Sequence, residues 1–329
     1  MRKIPVVRSI GRAYGFGLGH FTTAVAICWV PYLLLAAAAV FVVTGPAHEL
    51  ISQVFAAVSN GLDVASDDNR KDAMERAFKA LLPAYGSFYR YAVLLFLLNM
   101  LVQAMVAVGL TRAAMGLEQG NGFFFLSFEA PVWKLFGAWL ATYLIMYAAT
   151  FVLIFAGIML GAIAGVGLAH THAPAFVAFC VFIVLAALTL MAWLAIRLNF
   201  FLPAIIVSEK KLDLLRSWNL SEGNVWRILA IYFSFLPVLI ILLIAGSLAK
   251  IIAFLAFVPH WLSLPERLSD NANWTTWTGI MADILPWLPA LVAVAVLTQI
   301  LLSAMLYAAT ARAYRGIVAT DIAPQTERE

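Results

Sequence analysis

The chain has 329 residues, of which 64% are hydrophobic and 12% are charged, and it carries a formal net charge of +4. Its mean hydropathy is +0.94. Soluble domains are roughly 45–50% apolar and about 25% charged, so this composition excludes an ordinary soluble globular protein and predicts that lipid surrounds most of the chain. We expect no nucleic-acid partner.

Six apolar stretches are each long enough to cross a hydrocarbon core of about 30 Å, which needs roughly 20 helical residues. We therefore predict an all-α fold, a polytopic integral membrane protein in which residues 1–329 form a single transmembrane domain with six transmembrane helices. The first stretch is too long for the apolar region of a cleaved signal peptide, so we expect it to be retained. The stretches are about 21–44, 89–111, 135–168, 174–207, 226–258 and 284–310.

The positive charges predict the orientation of these helices. Threading the six spans in order places fourteen of the 21 Lys and Arg residues on the side of the N-terminus and seven on the other side. Cytoplasmic loops are enriched in Lys and Arg. We therefore expect a multi-pass protein of the bacterial cytoplasmic (inner) membrane with both termini in the cytoplasm.

The outer loop 45–88 contains apolar residues at roughly helical spacing on both sides of a break at Gly61 and the acidic run that follows it. We predict two amphipathic helices that lie at the outer interface or cap the helix bundle. A solvated, mobile loop is the alternative.

A short motif occurs twice and indicates an internal repeat. Glu129-Ala-Pro-Val-Trp-Lys134 opens the third span and Glu222-Gly-Asn-Val-Trp-Arg227 opens the fifth. Each even-numbered span also ends in an arginine. We predict three two-helix repeats, about 1–119, 120–208 and 209–319, and each repeat opens with an interfacial elbow helix. A short tail, 320–329, follows the third repeat. The first copy has His20 and Phe21 in place of Trp and the cation.

The sequence around the third elbow, at the start of the third repeat, resembles that of a known membrane domain. Arg197, the run F-L-P-A-I-I-V-S-E and the run R-S-W-N-L-S-E-G-N-V-W-R-I-L resemble the membrane domain fused to some bacterial glycerophosphoryl diester phosphodiesterases, and related stand-alone six-helix membrane proteins of unassigned function. The similarity covers about 195–230, with a weaker echo at 112–137. It implies a six-helix membrane module. It does not imply the phosphodiesterase, because the His-Arg and Glu-x-Asp constellation of that enzyme's separate soluble barrel is missing. The matching positions are Arg197, Pro203, Glu209, Ser217, Gly223, Trp226 and Arg227.

The local sequence predicts the shape of this elbow. Pro203 should bend or end the fourth span near its inner boundary, because proline lacks the N–H that continues a helix. Ser208 is a candidate N-cap for a short helix over 209–219, and Ser221 is a candidate N-cap for the fifth span.

The charged residues of the elbows have two interpretations. In the first, they form only interfacial elbow helices whose cations lie on anionic lipid head groups. In the second, they converge beneath the bundle and bind an anionic head group or a partner protein, since arginine can donate two parallel hydrogen bonds to phosphate. The candidate binding residues are Arg112, Lys134, Arg197, Glu209, Arg216, Trp226, Arg227 and Arg312.

Polar and small residues inside the spans suggest helix contacts. Asn99 and Gln103 share a helix face, as do Gln299 and Ser303, and intramembrane groups of this kind are more often interhelical hydrogen bonders than ligand sites. The residues Gly157, Gly161 and Gly165 would let another helix approach closely, either an internal one or one from a homo-oligomer or a membrane partner.

No catalytic motif is visible, and we predict a protein that is not an enzyme and has no cofactor. Four histidines, His48, His170, His172 and His260, lie on the predicted outer side without a carboxylate or Cys at ligand spacing, so we predict no metal site. The function we expect is a membrane module that binds membrane lipids, an apolar ligand or an anionic head group, or that scaffolds a membrane partner. The alternative is a transporter or permease-like protein for a small or lipidic substrate.

Overall fold

The computed structural model describes residues 3–54, 70–117, 128–168, 173–241, Ile244 and 288–322, and every regular element in these ranges is helical. The helices are α1 (Val6–Gly19), α2 (Phe21–Val42), α3 (Arg70–Ala114), α4 (Ala130–Leu168), α5 (Ala173–Asn199), α6 (Leu202–Glu209), α7 (Leu214–Ser221), α8 (Val225–Ser234) and α9 (Leu288–Ile322).

Five helices in the described part of the chain are long and apolar enough to cross a membrane. A sixth is present if the pair Leu214–Ser221 and Val225–Ile241, which bend by 89° at their junction, counts as one span. The prediction of an all-helical fold is therefore confirmed for the described residues, and helices of this length and composition indicate a multi-pass membrane protein. About half of the predicted fifth span, 226–258, lies outside the described residues. The five helices span Phe21–Val54, Leu81–Ala114, Ala130–Met159, Val181–Glu209 and Ala293–Val318.

The described parts of the region predicted as the outer loop 45–88 are helical on both sides, and each helix is continuous with a span. The first span continues through a π-helical turn, Val43–Ala47, to Val54. On the other side, α3 is one 45-residue helix that runs through Pro83 into the second span. Good helix formers such as Ala, Lys, Arg and Leu surround this proline, and a single interior proline kinks a helix more readily than it ends one in such a context. The predicted break at Gly61 lies outside the described residues.

Packing divides the chain into two compact units. The first consists of Met1–Ala24, Ala104–Leu236 and Leu302–Glu329, and the second of Val25–Gln103 and Pro237–Leu301. Of the three predicted repeats, the second lies wholly in the first unit, whereas the other two contribute to both units. The repeats themselves stay a prediction.

The core of the first unit lies around the short helix α6. All residues from Leu202 to Val207 are buried, and α6 packs against α4, α5 and α7, while α1 packs against α8. The outer faces of α4 and α5 instead expose large apolar side chains, which suits contact with lipid tails. Fully buried large side chains of this unit include Leu110, Leu135, Phe201, Ile205, Ile228, Ile231 and Met305, and exposed ones include Leu144, Tyr147, Phe151 and Phe182.

The α4–α5 contact shows which helix lies close to one of the three glycines on α4. A Cβ placed on Gly157 would lie 3.6 Å from Cγ2 of Ile183 on α5, so the close neighbour at this glycine is internal. The side-chain surroundings of Gly161 and Gly165 lie outside what the structure describes.

Candidate functional site

We use the name elbow region for the residues of the first unit around the short helices and helix ends, namely 3–20, 112–117, 128–134, 197–227 and 312–318. Its best-defined part is the third elbow. Helix α5 ends at Asn199, and α6 begins at Leu202 with Pro203 in its first turn. The break predicted at this proline is therefore present. A new helix can begin there because proline in a first turn loses no intrahelical hydrogen bond.

The caps of this elbow differ from the sequence expectation. The segment predicted as one helix over 209–219 is the end of α6, a turn and α7. Ser208 does not cap a helix: its Oγ donates to the carbonyl oxygen of Ala204 at 2.7 Å. The N-cap of α7 is Asp213, whose Oδ1 accepts from the amide of Arg216 at 2.8 Å. Burial of the apolar residues before Ser208 carries α6 past it, so the cap moves to the next good acceptor beyond the turn.

The predicted cap of the fifth span is also misplaced. Ser221 is the last residue of α7, and the N-cap position of α8 belongs to Asn224, which makes no side-chain capping bond there. The side chain of Asn224 instead turns to the N-terminal segment, where its Oδ1 accepts from the amide of Ile4 at 3.0 Å.

Arg197 is buried beside two indole rings that meet edge to face. Its guanidinium carbon lies 3.8 Å from the ring centroid of Trp218 and 5.0 Å from that of Trp193, and only 8% of the residue is exposed. It also donates to the carbonyl oxygen of Trp218 at 3.2 Å and to Oγ of Ser221 at 3.5 Å. Arg197 therefore joins α5 to α7, and its charge is satisfied by the chain itself.

Two further pairs of opposite charge join elements of the elbow region. Arg112 at the end of α3 donates to Glu129 before α4 at 2.5 Å. Glu209 at the end of α6 accepts from Nε of Arg216 at 3.4 Å and from the hydroxyl of Tyr314 on α9 at 2.7 Å. These partners are partly exposed, so each ion pair contributes only about 0–1 kcal/mol to stability.

The cation of each repeated motif binds a backbone carbonyl. Nζ of Lys134 donates to the carbonyl oxygen of Lys210, and Nη1 of Arg227 donates to that of Ile4, both at 2.7 Å. Near the end of α9, Arg315 donates in the same way to the carbonyl oxygen of Met115. The bonds of Lys134 and Arg227 hold the opening segments of the third and first elbows, and the bond of Arg315 holds the residue that follows α3.

The tryptophans of the two motifs are open to the surroundings, with exposed fractions of 51% for Trp133 and 82% for Trp226. Arg312 is partly buried on α9. The structure thus brings Glu209 and Arg216 together, whereas Arg112, Lys134, Arg197 and Arg227 each serve a different contact. Whether any of them binds a ligand stays a prediction.

The contacts missed from the sequence involve Trp193, Trp218, Tyr314, Asn224 and Ile4. Only one carried a usable signal. Trp193 lies four residues before Arg197, so the two side chains had to share a helix face. The other four approach from segments distant in sequence.

The polar residues that we predicted to lie within the spans differ in burial and in hydrogen bonding. In the second unit, Gln103 accepts a hydrogen bond from the hydroxyl of Tyr32 at 3.4 Å, as expected of an interhelical contact. Asn99 is partly buried and Gln299 is exposed, whereas Ser303 is buried.

Among the described residues, no group of three or more His, Cys, Asp and Glu side chains could hold a metal ion. Of the four outer histidines only His48 is described, so a site built from the other three was not open to this test.

No protein-family model matches the sequence, and neither a curated protein nor a solved structure matches it significantly. The resemblance of residues 195–230 to the phosphodiesterase-associated membrane domain therefore stays a prediction. The class that the fold supports is that of an all-helical protein with five or six helices of membrane-spanning length.

Proposed function

We propose that the chain consists of three two-helix repeats whose elbows interlock cyclically within the first unit. Lys134 of the second repeat binds the opening segment of the third through Lys210, and Arg227 of the third binds the opening segment of the first through Ile4. Helix packing agrees with the second of these contacts, since α1 of the first repeat packs against α8 of the third. Two contacts with the same motif position and the same sense support a common ancestor for the repeats.

The first repeat differs from the others at the motif position. The first repeat has His20 and Phe21 where the others have Trp and a cation, so it lacks the group that would bind the opening segment of the second repeat. Arg315 of the third repeat binds Met115 of the first repeat, so a second bond joins these two repeats.

We propose that the protein is a non-enzymatic membrane module whose elbow region binds anionic phospholipid. The observation that carries this proposal is the charge of the elbow region, whose residues include twelve Lys and Arg but only four Asp and Glu. Two of the four carboxylates, Glu129 and Glu209, already face arginines, and Asp213 caps α7. Most of the positive charge is therefore left for an external anion.

The apolar side chains of the same region suit a membrane interface. Trp226 and Leu215 are exposed to 82% and 75%, and α1 exposes Val7 and Leu18 beside its arginines. Short amphipathic helices with basic and apolar faces lie at the head-group level, and indole rings prefer that depth. The proposed setting is the cytoplasmic leaflet of a bacterial inner membrane, where anionic lipids attract basic segments.

A titration with lipid in mixed micelles tests the proposal. We expect phosphatidylglycerol to bind more tightly than phosphatidylcholine. Each exposed cation near an anionic surface contributes about 1 kcal/mol, so the double variant Arg12→Gln/Lys211→Gln should weaken phosphatidylglycerol binding roughly thirtyfold. The matched control is Lys79→Gln/Arg90→Gln, which removes two exposed cations from the second unit and should change binding less than about threefold.

Equal affinity of the wild type for the two lipids would contradict the proposal. Equal losses in the two double variants would also contradict it, because attraction would then follow net charge and not the elbow region.

A further inference from the structure

An open groove of about 770 Å³ runs beside the N-terminal segment of the first unit. The lining residues are Ile4, Pro5, Val6, Val7, Arg8 and Arg227.

The wall formed by the N-terminal segment is fixed in place from three directions. Asn224 accepts from the amide of Ile4, and Arg227 donates to the carbonyl oxygen of the same residue. Pro5 lies against the end of α9, where a Cβ on Gly316 would meet its ring carbons at 3.1 Å. A wall held in this way is pre-organised, so a ligand need not order it on binding.

The lining of the groove is mostly apolar, and the charged groups that border it favour an anion at its edge. Arg8 is exposed, and Arg227 has five N–H donors of which one binds Ile4. No carboxylate is among the lining residues. The first turn of α1, which forms part of the wall, has neither an acidic residue nor a side-chain cap, so the positive end of its dipole adds to the two guanidinium groups.

The remaining lining residues are apolar and continue into the lipid-facing surface. Val7 is 85% exposed, and Trp226, the sequence neighbour of Arg227, is 82% exposed. A free phosphate would leave these side chains in contact with nothing apolar. A phosphate that carries acyl chains complements both parts of the groove.

We infer that this groove is a binding site for one anionic glycerophospholipid, with the phosphate held by Arg8 and Arg227 and an acyl chain along Val6 and Val7. The inference rests on the proposed function, because it assigns a defined place to one of the lipids that the elbow region attracts.

The first test compares two arginines on consecutive turns of α1. Arg8 lines the groove and Arg12 does not, yet both are exposed. Loss of charge-assisted hydrogen bonds to phosphate should make Arg8→Gln at least fiftyfold weaker for phosphatidylglycerol in mixed micelles. Arg12→Gln should lose only the general surface attraction, about fivefold.

The possible outcomes separate the site from the general function. Losses of about fivefold in both variants would overturn the groove and leave the proposed function standing. No loss in either variant, with equal affinity for phosphatidylcholine, would overturn both. A large loss for Arg8→Gln with none for Arg12→Gln would support the groove and contradict the general surface attraction.

The second test adds a carboxylate at exposed apolar positions of the same helix. Val7→Glu places it at the groove, whereas Leu18→Glu places it at the far end of α1, where 66% of the native residue is exposed. We expect at least a tenfold loss for Val7→Glu and a much smaller one for Leu18→Glu, with both variants folded because neither native side chain is buried. Equal losses would overturn the site.

Inorganic phosphate distinguishes a lipid site from a simple anion site. Millimolar phosphate should leave bound phosphatidylglycerol in place, since it gains nothing from the apolar wall. Complete displacement at that concentration would overturn the assignment to a phospholipid.

Discussion

The sequence suggests Arg197 as a ligand-binding residue because of its charge, but its contacts in the structure serve the stability of the fold. Its guanidinium group lies close to the rings of Trp193 and Trp218, and its hydrogen bonds end on the chain's own oxygen atoms. A cation placed over an aromatic ring away from water gains about 2 kcal/mol. The buried arginine thus fixes the angle between α5 and α7, and with it the position of the elbow that follows.

Replacement of Arg197 by Ala should lower the free energy of unfolding by about 3 kcal/mol, because it removes the cation–π contacts and a charge-assisted hydrogen bond. Arg197→Lys keeps the charge but loses the planar stacking, so we expect roughly half of that loss. Unfolding by denaturant in mixed micelles measures both changes.

The control for this prediction is Trp226→Ala, which removes an exposed aromatic ring and should cost less than about 1 kcal/mol. A loss for Arg197→Ala as small as that of the control would show that the contacts of Arg197 with the two tryptophans do not stabilise the fold.

At the scale of elements, the third elbow consists of two short helices joined by a turn. Lys210, which follows α6, adopts a left-handed backbone conformation with φ of 54°, and this ends the helix. Asp213 then starts α7 three residues later. The turn allows the carbonyl oxygen of Lys210 to face Lys134 of the preceding repeat.

The two candidate caps give a direct contrast. Asp213→Ala should destabilise the protein by about 1 kcal/mol and raise hydrogen exchange at the first amides of α7, because the bond to the amide of Arg216 is lost. Ser208→Ala should have a smaller effect, since a serine that bonds back to the carbonyl four residues earlier adds little to a helix. The opposite order of effects would show that Ser208 is the cap.

Sequence reasoning located the elbow but not its internal structure. The helical class and the break at Pro203 follow from hydropathy and from the missing proline N–H, which are local properties. The positions of the caps depended on how far burial extends α6, and that is decided by α4, α5 and α7 packed around it. Trp218, Tyr314 and Ile4, which contact Arg197, Glu209 and Arg227 respectively, come from segments distant in sequence, so spacing alone could not identify them.

For the molecule as a whole, the cyclic interlock predicts that the order of the repeats along the chain is not essential. Pro5 at the start of the chain lies against Gly316 near the end of α9. A circular permutant with a short Gly/Ser linker between the present ends, and new ends within 118–127, keeps the contacts of Lys134, Arg227 and Arg315. It should fold with a free energy of unfolding within about 2 kcal/mol of the wild type.

A second permutant with its new ends between Lys210 and Asp213 is the control, because this cut separates α6 from α7 and frees the carbonyl that Lys134 binds. It should be much less stable. Equal behaviour of the two permutants would contradict the cyclic arrangement.

The central claim is that the elbow region selects anionic phospholipid. Native mass spectrometry of the protein released from equimolar phosphatidylglycerol and phosphatidylcholine measures this selection most directly. The account predicts that retained lipids are mainly phosphatidylglycerol in the wild type and in Lys79→Gln/Arg90→Gln, and that Arg12→Gln/Lys211→Gln loses most of the preference. Retention of the two lipids in equal amounts by the wild type would contradict it.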